Sequence, residues 1–498
     1  MQMRDLLVLA VLGAAACGGV LGCGGCSSPH GATTPPPPGD GAGGGSDPDG
    51  GGGNPPPPSD AGPVSGTLRV DPANPRYFTA GHGVVYLTGS HTWANFKDRA
   101  TGDPPPPFDY NAFLQFLVVH RHNFFRLWTW EQPHSKDNVL LYFTPFAWPR
   151  TGTLMASDGK PQFDLGHFNQ DYFDRMRARV IAARDRGIYV SIMLFDGWDL
   201  RNGYSDTGGF PMAKGNNIDG VEATADDFLS LSKNDVTVRQ QAYVTKVIDT
   251  VNDLDNVLYE IANETANSSA EIAWQYAMID FVKSYEKTKP KQHPVGMTST
   301  YPGTDADLYA TANHADWISP NAKLASGDGR KVVVNDTDHS YGWTELQAAT
   351  PAGQRTWAWQ TFCLGAQPVF MDPYLEVWGD GRNTPPDGST PDPQWNALRN
   401  ALGYTALYAS KLDLERAVPS PSLCSTGYCL VEPGHQYLVY QPGSGNFKLT
   451  VTAGTYATEW FNPATEKSSD GGTMTLATGQ RTFTPPFSGD AVLWLHAP

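Results

Sequence analysis

Asn256-Val257-Leu258-Tyr259-Glu260-Ile261-Ala262-Asn263-Glu264 is an apolar run that stops on an amide and a carboxylate, side by side. A short apolar run of this kind reads as a buried strand. In a (β/α)8 barrel the strand ends hold the chemistry, because the loops there surround one shared pocket. A carboxylate at such an end is placed to donate a proton to a leaving group. The competing reading is a helix N-terminus capped by Asn263 and Glu264.

The surrounding chain favours the barrel. Residues 84–93, 123–130, 189–198, 256–264, 294–301, 317–321, 331–339 and 367–374 read as strands, mostly apolar runs ending on polar or aromatic residues. Helical spacing fills several gaps, at 110–119, 169–186, 236–251 and 271–287. Eight strands interspersed with helices over 66–411 predict an α/β fold of the (β/α)8 TIM-barrel kind. A doubly wound open sheet is the rival, but no Gly-rich phosphate loop follows any strand, and no cofactor is expected. From residue 412 to 498 the texture changes to short strands between Gly, Pro and Asn turns. That predicts an antiparallel β-sandwich with two buried inner faces and one edge lying against the barrel.

The predicted strand ends collect chemistry. Strand two delivers Arg126, Trp128, Trp130 and Glu131; strand one His91 and Trp93; strand three Asp196 and Trp198. Strand seven delivers Asp336, Asp338 and His339, and strand eight ends at Tyr374. An Asn-Glu pair closing strand four, an Arg on strand two and a carboxylate on strand seven resemble the pattern of the clan of retaining (β/α)8 glycoside hydrolases. More narrowly, Gly89-Ser90-His91-Thr92-Trp93, Phe125-Arg126-Leu127-Trp128 and Asn335-Asp336-Thr337-Asp338-His339 resemble the apiosidase-like barrel proteins. The tail, with Trp460-Phe461-Asn462-Pro463 and the stretch 483–490, is similar to a β-domain often appended to them and labelled collagen-binding.

The resemblance implies hydrolysis of O-glycosidic bonds. Glu264 is then the general acid, and Asp336 or Asp338 the second carboxylate. Asp336 lies closer behind the apolar run and is the first choice. The clan usually has Glu on strand seven; an Asp is one methylene shorter, which leaves retaining and inverting outcomes both open. Arg126 would hold that Asp ionised, and Asn263 would bond a sugar hydroxyl. Trp93, Trp128, Trp130 and Trp198 are candidates for stacking on sugar faces, or for the core. His91 and His339 are candidates to orient carboxylates or bind hydroxyls. Glu260 is expected to face the barrel interior as a partner for Arg126, and Glu131 and Asp196 are lesser alternatives for the acid.

With 498 residues and a formal charge of −16, the chain is poorly suited to nucleic acid but not to neutral carbohydrate. Leu6 to Ala16 form an apolar run behind Arg4, too short to span a bilayer, and read as an export signal. Val20-Leu21-Gly22-Cys23 resembles a bacterial lipobox, so residues 1–26 are expected to be a leader with Cys23 lipidated, at the outer membrane or cell surface. Residues 27–65, nearly all Gly, Pro, Ser, Asp and Ala, are expected to be a flexible tether. Cys424 and Cys429 flank a short loop and are expected to form a disulfide; Cys363 reads as a buried thiol. No zinc spacing is present; Asp336, Asp338 and His339 resemble ligands, but barrel metal sites draw on several strands. The expected protein is a monomeric, carbohydrate-cleaving lipoprotein. The alternative is a non-catalytic surface adhesin that only binds glycan or matrix protein.

Overall fold

The computed structural model describes residues 62–136, 140–202, 209–300, 304–339, 349–375 and 391–498. The expected leader, Cys23 and nearly all of the tether lie outside these residues. Eight strands form one parallel sheet: β1 (Gly89–His91), β2 (Phe124–Leu127), β3 (Tyr189–Asp196), β4 (Val257–Asn263), β5 (Val295–Thr298), β6 (Trp317–Ser319), β7 (Val332–Asp336) and β8 (Gln367–Met371). Their order is β1-β8-β7-β6-β5-β4-β3-β2, so each strand neighbours its sequence successor and β8 returns to β1. Just below β1 and β2 the Asn123 N–H donates to the Thr88 carbonyl at 3.0 Å and closes the ring. This is the TIM barrel expected.

Among the described residues six longer helices wrap it: α1 (Tyr110–Val119), α2 (Gln170–Arg184), α3 (Asn234–Val251), α4 (Ser269–Glu286), α5 (Pro351–Cys363) and α6 (Asn396–Lys411). Strand residues alternate between this layer and the barrel interior. Val190, Ile192 and Leu194 of β3 join the core formed with the helices, while Tyr189 points inward. The interior floor is apolar: Leu87, Phe124, Tyr189, Leu258, Trp317, Val332, Val334 and Val369. Trp317 fits because Gly296 faces it; a Cβ there would lie 1.9 Å from the indole. A small antiparallel sheet of 69–70, 78–79 and 84–85 adds Leu68 and Phe78 to this floor. The polar residues of strands β1, β2, β4 and β7 sit above it, toward the C-terminal ends.

After Lys411 come β9 (Cys429–Glu432), β10 (Gln436–Gln441), β11 (Phe447–Val451), β12 (Gly454–Asn462), β13 (Lys467–Leu476), β14 (Gly479–Phe483) and β15 (Ala491–His496). Strands β9-β10-β15-β12-β13, with 418–419 at the β9 edge, form one antiparallel sheet, and β11 pairs with β14. Val431, Tyr437, Val439, Trp460, Leu493 and Leu495 pack with Phe447, Leu449 and Phe483 of the smaller sheet. The opposite face does not meet water. Leu430, Leu438, Tyr440, Phe461 and Val492 pack on Trp357, Trp359 and Phe362 of α5 and on Leu402, Tyr404 and Tyr408 of α6. A whole sheet face therefore lies on the barrel, where an edge was expected. Each fully buried aromatic there is worth about 1.5–3 kcal/mol. Arg355 of α5 pins the contact with a two-pronged ion pair to Asp490, at 2.8 and 3.0 Å.

The expected disulfide is not formed. Cys424 and Cys429 are buried free thiols. Cys429 Sγ donates to the Ser420 carbonyl at 2.9 Å, and Cys424 Sγ accepts from Thr426 Oγ1 at 3.3 Å. The Cys429 side chain beside it, outweighing burial, brings the Cys424 thiol down to about 6. Cys363 is also a buried free thiol.

Candidate active site

Arg126 is the hub. It enters the barrel from β2, buried, and its guanidinium spends every nitrogen on a strand-end partner. Nε and Nη2 grip Glu260 at 2.8 and 2.6 Å, Nη2 also donates to Asn263 Oδ1 at 2.7 Å, and Nη1 bridges Asp336 at 3.1 Å and Asp338 at 3.0 Å. A planar fork with fixed donors suits this bridging better than a lysine ammonium. The expected Arg126–Glu260 pair is present.

The two strand-seven carboxylates differ in surroundings. Asp336 is fully buried; Oδ2 accepts from His91 Nε2 at 2.9 Å and from Arg126, and Oδ1 accepts the Asp338 N–H at 3.0 Å. Burial alone would raise this carboxyl, but His91 and Arg126 outweigh it and hold it well below the usual range. Trp128 fixes His91: its indole N–H donates to Nδ1 at 2.9 Å, which leaves the ring proton on Nε2 for Asp336. Asp338 lies past the strand in a turn, and its side chain is 11% exposed. Burial raises its carboxyl, opposed by Arg126. Strand position favours Asp336; in the structure Asp336 is locked among donors, and Asp338 is the more exposed of the two.

Glu264 stands at the end of β4 with a left-handed backbone, φ 42°, which costs a non-glycine residue of order 1–3 kcal/mol. Its side chain is 13% exposed, with Arg201 Nη2 3.6 Å from Oε2. Burial, and then the charge of Asp338, push its carboxyl up to about 8, against Arg201 and Arg126. Of the strand-seven carboxylates it is Asp338 that raises Glu264, and Asp196 at the end of β3 adds to it. The proton therefore rests on Glu264 at neutral pH, while Asp338 is hydrogen-bonded to Arg126, which opposes the upward pull of burial on its carboxyl.

Asn263 is nearly saturated. Its Oδ1 accepts from Arg126 and from His339 Nε2 at 3.1 Å, and its amide donates to Asp196. One N–H remains for a ligand. His339 is buried; burial and Arg126 bring its pKa down to about 3, so the neutral ring takes a hydrogen bond from Ser319 Oγ at 2.8 Å. It orients Asn263 rather than a sugar hydroxyl.

The aromatic candidates divide. Trp93, Trp128 and Trp130 form a buried cluster with Phe143, Met193 and Met371, and Trp128 is 2% exposed. Of the two readings left open for them, stacking or core, Trp93, Trp128 and Trp130 take up the core position here. Trp198 is partly exposed. Tyr374 turns away, with φ 47°, into Phe113 and Phe116 of α1 at ring distances of 5.3 and 4.9 Å. That removes it from the site, because the turn after Asp372 and Pro373 points it outside the barrel.

Glu131 is buried, and both its oxygens accept the Asp196 N–H. Arg201, Ser319 and Asp199 were not anticipated. Ser319 alone had a signal, as a polar residue closing a short apolar strand.

No family model matches the chain, and no curated protein matches it in sequence. Among solved structures, one described as a glycoside hydrolase superposes with a TM-score of 0.56 at 13% identity, covering 87% of this chain and 97% of that one. A glycoside hydrolase family 5 structure from Bacteroides vulgatus gives 0.57 at 12% identity, covering 88% and 95%. At such identities these likenesses speak for the barrel fold.

Proposed function

We propose that this protein is a glycoside hydrolase in which Glu264 is the general acid and Asp338 the second carboxylate. One observation carries the reading. Two partly exposed carboxyls stand at the C-terminal ends of neighbouring barrel segments: burial and the Asp338 charge keep the proton on Glu264, while Arg126, hydrogen-bonded to Asp338, opposes the rise that burial imposes there. Glu264 gives its proton to the glycosidic oxygen as the C–O bond breaks. Asp338 meets the anomeric carbon as nucleophile, and a water activated by Glu264 then releases the sugar with retention. Asp336, His91, Trp128 and Glu260 hold Arg126 and the turn carrying Asp338 in place. Asn263 offers its remaining N–H to a sugar hydroxyl. The resemblance of the sequence to apiosidase-like barrel proteins supports a plant-type or microbial glycan as substrate. The leader and tether support an exported enzyme anchored through Cys23, with the β-module as an accessory that performs no chemistry.

The test is a screen of the protein against defined glycans, with the product anomer read by NMR and Glu264→Gln as control. Turnover with retention, reduced about 10²–10⁴-fold in Glu264→Gln on substrates with poor leaving groups, is expected. Binding without turnover would favour an adhesin, and inversion would make Asp338 a general base.

A further inference from the structure

The segment following β3 touches Glu264 from two sides. Asp196, the last residue of β3, is fully buried and registers directly against Asn263. Its Oδ1 accepts the Trp198 N–H at 3.2 Å and its Oδ2 the Asp199 N–H at 3.3 Å, so it caps the short helix Gly197–Asn202. That helix sits hard against β4: a Cβ on Gly197 would lie 2.8 Å from the Asn263 carbonyl and 2.8 Å from Thr265 Cγ2. At its far end Arg201 reaches back to Glu264. Nε donates to the Glu264 carbonyl at 3.1 Å, and Nη2 lies 3.6 Å from Oε2.

We propose that Asp196 and Arg201 are positioning residues for Glu264, held at the two ends of one short helix and pulling its proton in opposite directions. Asp196 adds negative charge behind Asn263 and favours the protonated acid. Arg201 adds positive charge at the carboxyl itself and favours its release. Neither touches the reacting bond. The balance keeps the acid protonated yet able to give its proton up, and the left-handed backbone of Glu264 is pinned by the same arginine.

The groups facing Glu264 are Asp338 from the turn after β7, Arg126 from β2, and Asp196 and Arg201 from the β3 segment. Those facing Asp196 are Glu131, Asp199, Gln132 and Asn263. Asp196 is itself raised to about 6 by burial, against these hydrogen bonds, so its charge acts above that pH.

The catalytic meaning rests on Glu264 being the acid; the titration does not. The experiment is a 13C NMR titration of the full chain labelled at glutamate side-chain carboxyls, with the Glu264 signal identified by its loss in Glu264→Gln. The wild-type midpoint is expected near 8. Asp196→Asn, which keeps an oxygen acceptor for the helix cap, should move it to lower pH. Arg201→Gln should move it to higher pH, and Arg201→Lys should return it toward wild type. A shift of both charge-removing variants in the same direction, as loosened packing would give, overturns the proposal; so does the lack of a shift. The Arg201 side chain is at the rim, 14% exposed, so its variants remain decisive if Asp196→Asn does not fold. A midpoint near 8 with the opposite shifts described, in a protein that hydrolyses no glycan, would sink the enzyme reading and leave the charge balance standing.

Discussion

The indole N–H of Trp128 points at Nδ1 of His91 over 2.9 Å and thereby decides which face of the imidazole Asp336 sees. A tryptophan buried two residues beyond Arg126 thus sets a histidine tautomer one strand away. Trp128→Phe removes that donor and keeps most of the ring. The expected result is a mixed His91 tautomer in 15N NMR, a stability loss of about 1–3 kcal/mol from the unpaired nitrogen, and reduced turnover. An unchanged Nε2–H tautomer would contradict the assignment.

Asp336 and Asp338 should separate when each is replaced by Asn. Asp338→Asn removes the pocket-facing charge, so turnover should be lost with little change in urea midpoint. Asp336→Asn disrupts a buried ion-paired carboxylate, a change that typically costs about 3–5 kcal/mol, so its first effect should be on stability. Denaturant curves beside initial rates distinguish the two. A stable, inactive Asp336→Asn with an active Asp338→Asn would restore the assignment that strand position suggests.

Glu264 should also leave a pH signature on folding. Its folded carboxyl holds a proton up to about pH 8, while an unfolded glutamate releases it near pH 4. Between those values the native state binds the extra proton, so this group's contribution to stability falls as pH rises. Relative to Glu264→Gln, the wild type should therefore lose stability between pH 5 and pH 7.5, by about 1.4 kcal/mol per pH unit at most. Urea unfolding of both proteins at the two pH values measures it; a constant difference would mean that Glu264 titrates normally.

Ending the chain after Lys411 should not yield a soluble barrel. It would bare Trp359 and Phe362 of α5 and Tyr404 and Tyr408 of α6, now covered by Tyr440, Phe461 and Val492. Contiguous apolar surface of that kind drives association. Aggregation on size-exclusion chromatography is expected, relieved only when the module is restored. A monodisperse, stable fragment would show the interface to be dispensable.

The barrel was legible because parallel strands buried on both faces read as unbroken apolar runs, as at residues 256–262 and 332–334. The Arg126–Glu260 pair was legible too, since both charges fall at inward positions of apolar strands. Choosing between Asp336 and Asp338 was not. Parity holds only while the strand lasts; β7 ends at Asp336, and a turn sets the direction of Asp338. Tyr374 escaped for the same reason. The role of Arg201 depends on a helix too short to show a period. The packed outer face of the module had a trace in Trp460-Phe461: adjacent large apolar residues on one strand need partners on both sides of the sheet.

The strand latest in the sequence, β15, lies in the middle of its sheet, between β10 and β12. During synthesis those two strands wait for a common neighbour that emerges last. Until it inserts, the outward sides of α5 and α6 have nothing to rest on, although the eight barrel strands are already made. Packing of the barrel's outer helices is thus tied to the insertion of this one strand, and an interruption before it would leave two sheet strands and two helix faces exposed to misassembly.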